Sequence, residues 1–103
     1  MLKQKLHNEM ERFRKSYEKM TATQVYNDWY IIGFYEAYYD MLTSEWEELA
    51  SYEHIMLWLC EFNNPLEFLY SEWLGSDGAL NHDWDVMLDF IDAVYQDCVD
   101  NKY

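Results

Sequence analysis

Lys and Arg are missing from the entire run between Met20 and Asn101. Those 82 residues carry 17 Asp and Glu, and every basic residue except Lys102 lies within the first 19 positions. Soluble surfaces ordinarily mix both signs of charge, so a run of this length without a cation calls for a use. With a formal net charge of −13, the chain is repelled by nucleic acid, whose phosphates share its sign. The anionic face of a membrane is disfavoured for the same reason. Self-repulsion also weakens the compact state. The expected partner is therefore a strongly basic protein.

Other absences narrow the class. No apolar run approaches the roughly 20 residues needed to cross a bilayer. Lys3 and Lys5 are followed by His7, Asn8 and Glu9, where a secretory signal needs an apolar stretch, so a cytoplasmic protein is expected. Cys60 and Cys98 are too far apart for a zinc motif and read as free buried thiols rather than a disulfide. Glu-x-x-His pairs of the di-iron type do not occur. Asp77, Asn81, His82, Asp83 and Asp85 gather oxygens about a loop but match no EF-hand. No metal or cofactor is expected. The three histidines, His7, His54 and His82, are scattered, and there is no Gly-rich phosphate loop or nucleophile elbow. His54 shares a helical face with Glu47 and Glu61 at steps of seven, and reads as a hydrogen-bonded surface histidine rather than an acid–base centre. The chain is not expected to be an enzyme.

What is present is apolar and aromatic. Half of the residues are apolar and 19% are aromatic, which excludes a disordered acidic tail. The 103 residues fit one domain, residues 1–103, with a basic helix over 2–20 and an acidic helical body over 21–103. Leu2, Leu6, Met10, Phe13, Tyr17 and Met20 succeed one another at helical spacing and make a narrow apolar stripe. Lys3, Lys5, Arg12, Arg14, Lys15 and Lys19 share the other faces with Glu9, Glu11 and Glu18. Thr21 or Thr23 caps a second helix running to about Leu42, whose aromatic residues fall on every side and predict a central position. Ser44 and Glu47 have capping-box spacing and predict a third helix to about Phe62. Asn64 before Pro65, with Glu67 two residues later, predicts a new start capped by Asn64. That short helix, Pro65–Leu74, ends at Gly75. After a turn at Ser76-Asp77-Gly78, a last helix begins between Ala79 and Asp83 and reaches about Asp100. No segment alternates as a strand does. The expected fold is all-α, a compact bundle of four to five helices.

The last helix carries the sharpest constellation. Asp85, Asp89, Asp92 and Asp100 occupy one arc of roughly 80°. With a rise of about 1.5 Å per residue, Asp85 to Asp100 spans about 22 Å, and a DNA strand offers a phosphate about every 3.4 Å. Such a ridge imitates a coarse row of phosphates. Arg side chains built to grip phosphate accept carboxylates through the same paired hydrogen bonds. Those four Asp are the expected contact residues, with Glu45, Glu48 and Glu53 as a second patch. The expected function is that of a DNA mimic that blocks a nucleic-acid-binding enzyme. The rival expectation is a non-catalytic interaction or dimerisation module that docks through apolar surface, with Trp46, Trp58 and Phe68 as anchors.

The run Asn64-Pro65-Leu66-Glu67-Phe68-Leu69-Tyr70-Ser71-Glu72-Trp73-Leu74 resembles a motif of small acidic helical proteins from mobile elements of Firmicutes. They form a domain family of unknown function. The matching residues are Asn-Pro-Leu, then Leu-Tyr, then Trp-Leu. What the resemblance implies is a context. Mobile elements carry small acidic proteins that block host defence by occupying the nucleic-acid site of restriction or CRISPR nucleases. It implies an anti-CRISPR protein, with a CRISPR nuclease as the basic partner.

Overall fold

The apolar stripe of the first helix does what its spacing predicts. In the computed structural model, which describes residues 2–75 and 83–100, helix α1 spans Leu2–Glu18. Leu6 and Met10 are fully buried, and Phe13 lies half-buried, stacked on Tyr35 with ring centroids 3.9 Å apart.

Thr21 then opens α2 (Ala22–Asn27) with a reciprocal capping box. Its hydroxyl accepts from the Gln24 amide at 3.2 Å, and the Gln24 side chain accepts from the Thr21 amide at 3.0 Å. The single central helix expected up to Leu42 is broken at Asp28, where φ is −100° and ψ is 16°. Asp competes poorly as a helix-interior residue because its side chain favours caps and turns. Beyond the break, α3 spans Trp29–Thr43. Phe34, Tyr35, Tyr38, Met41 and Leu42 of α3 lie in the middle of the core, whereas Tyr26 and Trp29, next to the break, are 77% and 61% exposed. Aromatic residues on every side thus mean a buried helix only for its second half.

The capping box expected at Ser44 does not form. Its hydroxyl donates to the Met41 carbonyl at 2.7 Å, finishing α3, and accepts from the Trp46 amide at 3.3 Å. A 3₁₀ helix, Glu47–Tyr52, follows, and regular helix resumes only in α4 (Glu53–Leu59). Trp46 packs on Trp84, 5.2 Å between ring centroids, and this distant contact holds the segment against the last helix.

Helix α5 spans Pro65–Leu74 and begins at Pro65 as expected, but Asn64 makes no side-chain cap bond. The cap comes from α1. Glu9 is 4% exposed. One of its carboxylate oxygens accepts from the Leu66 amide at 2.8 Å and the other from the Glu67 amide at 2.9 Å. Asn64 instead accepts from the Arg12 guanidinium at 2.7 Å. One turn earlier on α1, the Lys5 ammonium donates to the carbonyls of Cys60 and Phe62, just past the end of α4. A cation therefore meets the carbonyl end of α4 and a carboxylate meets the amide end of α5, the arrangement that helix dipoles favour at both termini.

Helix α6 spans Trp84–Asp100 and completes the core with Met87, Leu88 and Ile91, which join Phe34, Met41, Ile55, Leu59, Leu66 and Leu69 in one cluster. The described residues form six α-helices and one 3₁₀ helix with no strand, and five of the α-helices have seven or more residues. The all-α expectation holds, and the count of four to five is exceeded only by the six-residue α2. Cys60 and Cys98 are half-buried and no disulfide joins them. No helix among the described residues is long and apolar enough to cross a membrane. The turn expected at Ser76-Asp77-Gly78, and Asn81 and His82 of the oxygen-rich loop, lie outside the described residues.

Replacing Glu9 by Ala strips two amides of α5 of their acceptor, one of them buried and the other partly buried. The variant is expected to lose about 2–3 kcal/mol in urea denaturation, the range for a lost helix cap made with a charged acceptor. Asn64→Ala removes no cap and is expected to cost less than about 0.5 kcal/mol. Equal losses in the two variants would contradict the assignment of the cap to Glu9.

Candidate acidic docking surface

Helix α6 buries Met87, Leu88, Ile91 and Val94. The helical period places Asp85, Asp89, Asp92 and Asp100 on the opposite side. Asp85, Asp89 and Asp100 are exposed and Asp92 is half-buried. Exposed Gln96 stands in the same row between Asp92 and Asp100, and exposed Asp97 flanks it. The expected ridge therefore exists as a surface, with one uncharged position in it.

The second patch divides. The 3₁₀ helix and α4 run alongside α6 in the same direction: Trp46 meets Trp84, His54 and Trp58 meet Tyr95, and Glu61 lies with Val99. This alignment brings the Glu48 carboxyl within hydrogen-bonding reach of Asp85. Local desolvation, then the hydrogen bond and negative charge of Asp85, push the Glu48 carboxyl above its ordinary value. Glu48 thus extends the ridge at its amino-terminal end. Glu45 is exposed on the adjoining extended link. Glu53 lines a separate depression with Leu2, Lys3 and Met56, between α1 and α4, so it does not belong to the ridge. The proximity of Glu48 to Asp85 had no signal in the spacing of acidic residues. Its only hint was the pair of tryptophans, Trp84 next to Asp85 and Trp46 two residues before Glu48.

Counter-charge goes elsewhere. Among the described residues the ion pair of a permanent cation is Arg14 with Glu36 at 2.8 Å, the His7 imidazole lies 3.2 Å from Glu11 and pairs with it only when protonated, and both contacts begin on α1. Arg14 grips Glu36 through two nitrogens and lies 5.5 Å from the centre of the Tyr39 ring. Lys5 and Arg12 are taken up by the corner between α4 and α5. The ridge carboxylates have no ion pair among the described residues. Within the same residues, no group of three His, Cys, Asp or Glu is placed to hold a metal.

The alignment of Glu47 with His54 required a continuous helix and is lost at the junction of the 3₁₀ helix and α4. His54 and Glu61 remain neighbours on one groove. The apolar anchors expected of a docking module are half-buried: Trp46 packs on Trp84, and Trp58 meets the rings of Phe62, Phe68 and Tyr95. Among the described residues, the large apolar side chains that reach solvent are instead Tyr26, Trp29, Tyr30, Leu57, Leu74 and Val86. No protein-family model, curated protein or solved structure matches this chain.

Two carboxyls have values raised by the fold. Burial pushes Glu9 up, against its two amide hydrogen bonds and the nearby Arg12 charge, and Glu48 is raised as described above. A raised carboxyl holds its proton more firmly in the folded state than in the unfolded one. The proton-linked part of its contribution to stability is therefore complete below the ordinary value of 4.5 and is lost as pH rises through the folded value, while the cap bonds remain. The melting temperature, followed by circular dichroism at low salt, is expected to rise as pH falls from about 7 to about 5. Added salt at neutral pH should reproduce part of that gain by screening. A fall in melting temperature over the same interval would contradict this account of the surface.

Proposed function

We propose that this chain is a non-catalytic inhibitor that imitates the phosphates of DNA and occupies the basic nucleic-acid groove of a defence enzyme. In its most specific form the target is a CRISPR nuclease, and the site is the groove that reads the short duplex motif beside the target sequence. The observation that carries the reading is the row from Glu48 through Asp85, Asp89 and Asp92 to Asp100, which lacks ion-pair partners among the described residues. Complementary charge of this kind speeds encounter and fixes register more than it adds raw affinity. It suits an inhibitor that must reach its target before DNA does. The Asn-Pro-Leu run of α5 and its resemblance to mobile-element proteins supply the context of host defence.

One observation favours a second reading. Tyr26 and Trp29 stand exposed beside the break between α2 and α3, and such residues anchor protein interfaces. In that reading the acidic row serves solubility, and the contact is apolar.

The two readings separate on salt. With a purified target nuclease, wild type is expected to bind progressively more weakly as salt rises. Changing Asp85, Asp89, Asp92 and Asp100 together to Asn is expected to weaken binding by at least about tenfold at low salt, with the helical spectrum unchanged. Binding that ignores salt and survives the four changes, but is lost with Trp29→Ala, would overturn mimicry in favour of apolar docking.

A further inference from the structure

Where α4 and α6 run side by side, their carboxyl-terminal halves leave an open groove of about 430 Å³, within the range of small-molecule sites. Its walls include His54, Leu57, Trp58, Glu61, Tyr95 and Val99, with Cys98 between the last two. The Trp58 and His54 rings meet the Tyr95 ring at 75° and 73°, with centroids 5.2 and 5.4 Å away. The three rings thus enclose a corner rather than forming one stack. Leu57 is 64% exposed and supplies an apolar floor open to solvent. Glu61 is exposed at the rim and has no ion pair among the described residues.

We propose that this groove receives an arginine side chain of the basic partner, with its guanidinium against Trp58 and Tyr95 and its charge paired to Glu61. The inference rests on the reading of the chain as a ligand for a basic protein, and it names the first contact of that kind outside the ridge. Aromatic faces attract a cation through their quadrupole, and a planar guanidinium stacks on them where a compact ammonium does not. The methylene stem of an arginine fits the surface offered by Leu57 and Val99 while its charged head remains at the wet rim. The field favours a cation as well. Among the described residues, helix α6 ends here at Asp100 with no basic residue in its last turn, and the carbonyl end of a helix adds to the negative potential. Asp92 lies one turn before Tyr95 on the same helix. A neutral apolar side chain would fill the same space and leave Glu61 without an ion pair among the described residues.

The test needs only the isotope-labelled protein and two short capped peptides, tri-arginine and tri-lysine. In a nuclear magnetic resonance titration, tri-arginine is expected to shift the Trp58 indole and the His54 and Tyr95 resonances, and to bind about fivefold more tightly than tri-lysine. Glu61→Gln, a surface change that leaves the core intact, is expected to weaken tri-arginine about fivefold, whereas Glu72→Gln, at an exposed acid of α5 away from groove and ridge, changes it little. Equal binding of both peptides with shifts confined to the ridge would overturn the proposal. So would an unaffected Glu61→Gln variant. Failure of the groove and failure of the inhibitor reading remain distinct. Arginine bound in the groove by a protein that does not displace DNA from any nuclease leaves the groove standing and removes the inhibitor. Displacement of DNA without the Trp58 shifts does the reverse.

Discussion

The carboxylate of Glu9, held by the amides of Leu66 and Glu67, is the contact on which the remaining structure turns. A helix start that enters the core must find acceptors for its free amides, and α5 has none of its own, since Asn64 is engaged by Arg12. Glu9 supplies them from 57 residues away, and Lys5 answers the carbonyls at the end of α4 from the same helix. With these bonds made, the stripe of Leu6 and Met10 lies over the core that α3, α4 and α5 share. The charged residues of α1 are therefore structural in large part. They fasten the corner between α4 and α5, and Arg14 fastens α3 through Glu36.

This internal use of cations sets the character of the outside. Lys5 meets the carbonyl end of α4, Arg12 the side chain of Asn64 and Arg14 that of Glu36, and none of the three meets an acid of α6. Burial of Met87, Leu88, Ile91 and Val94 turns the Asp row of α6 outward, and the contact of Trp46 with Trp84 draws Glu48 to the head of that row. Carboxylates this close repel one another, and they persist because packing beneath them fixes the helices that carry them. The result is a surface with one sign of charge on a rigid support, which is what imitation of a phosphate row requires.

Much of this was legible before any coordinates. The stripe of α1, the Thr21 start, the Pro65 start and the outward Asp arc all follow from helical period and capping chemistry, which depend on residues a few positions apart. What was not legible depends on residues far apart. Spacing made Asn64 look like the cap and Ser44 look like the opening of a capping box, because each has the right local neighbours. Glu9 from α1 and the packing of Trp46 on Trp84 decided both cases otherwise. The break at Asp28 shows the same limit. An aromatic residue at every angle is consistent with burial, but only neighbours decide it, and Tyr26 and Trp29 have few. The ridge was read from one helix, whereas packing between helices brought Glu48 to it and set Glu53 of the second patch apart, in a depression beside α1.

The most direct test of the central claim is whether this protein and duplex DNA exclude one another on the same target. A fluorescently labelled DNA carrying the motif read by the nuclease reports its own release by anisotropy as the protein is added. Mimicry predicts complete, competitive release, with an apparent affinity that weakens in proportion to the DNA present. A stable ternary complex of nuclease, DNA and this protein would contradict it, and the acidic row would then be no imitation of DNA.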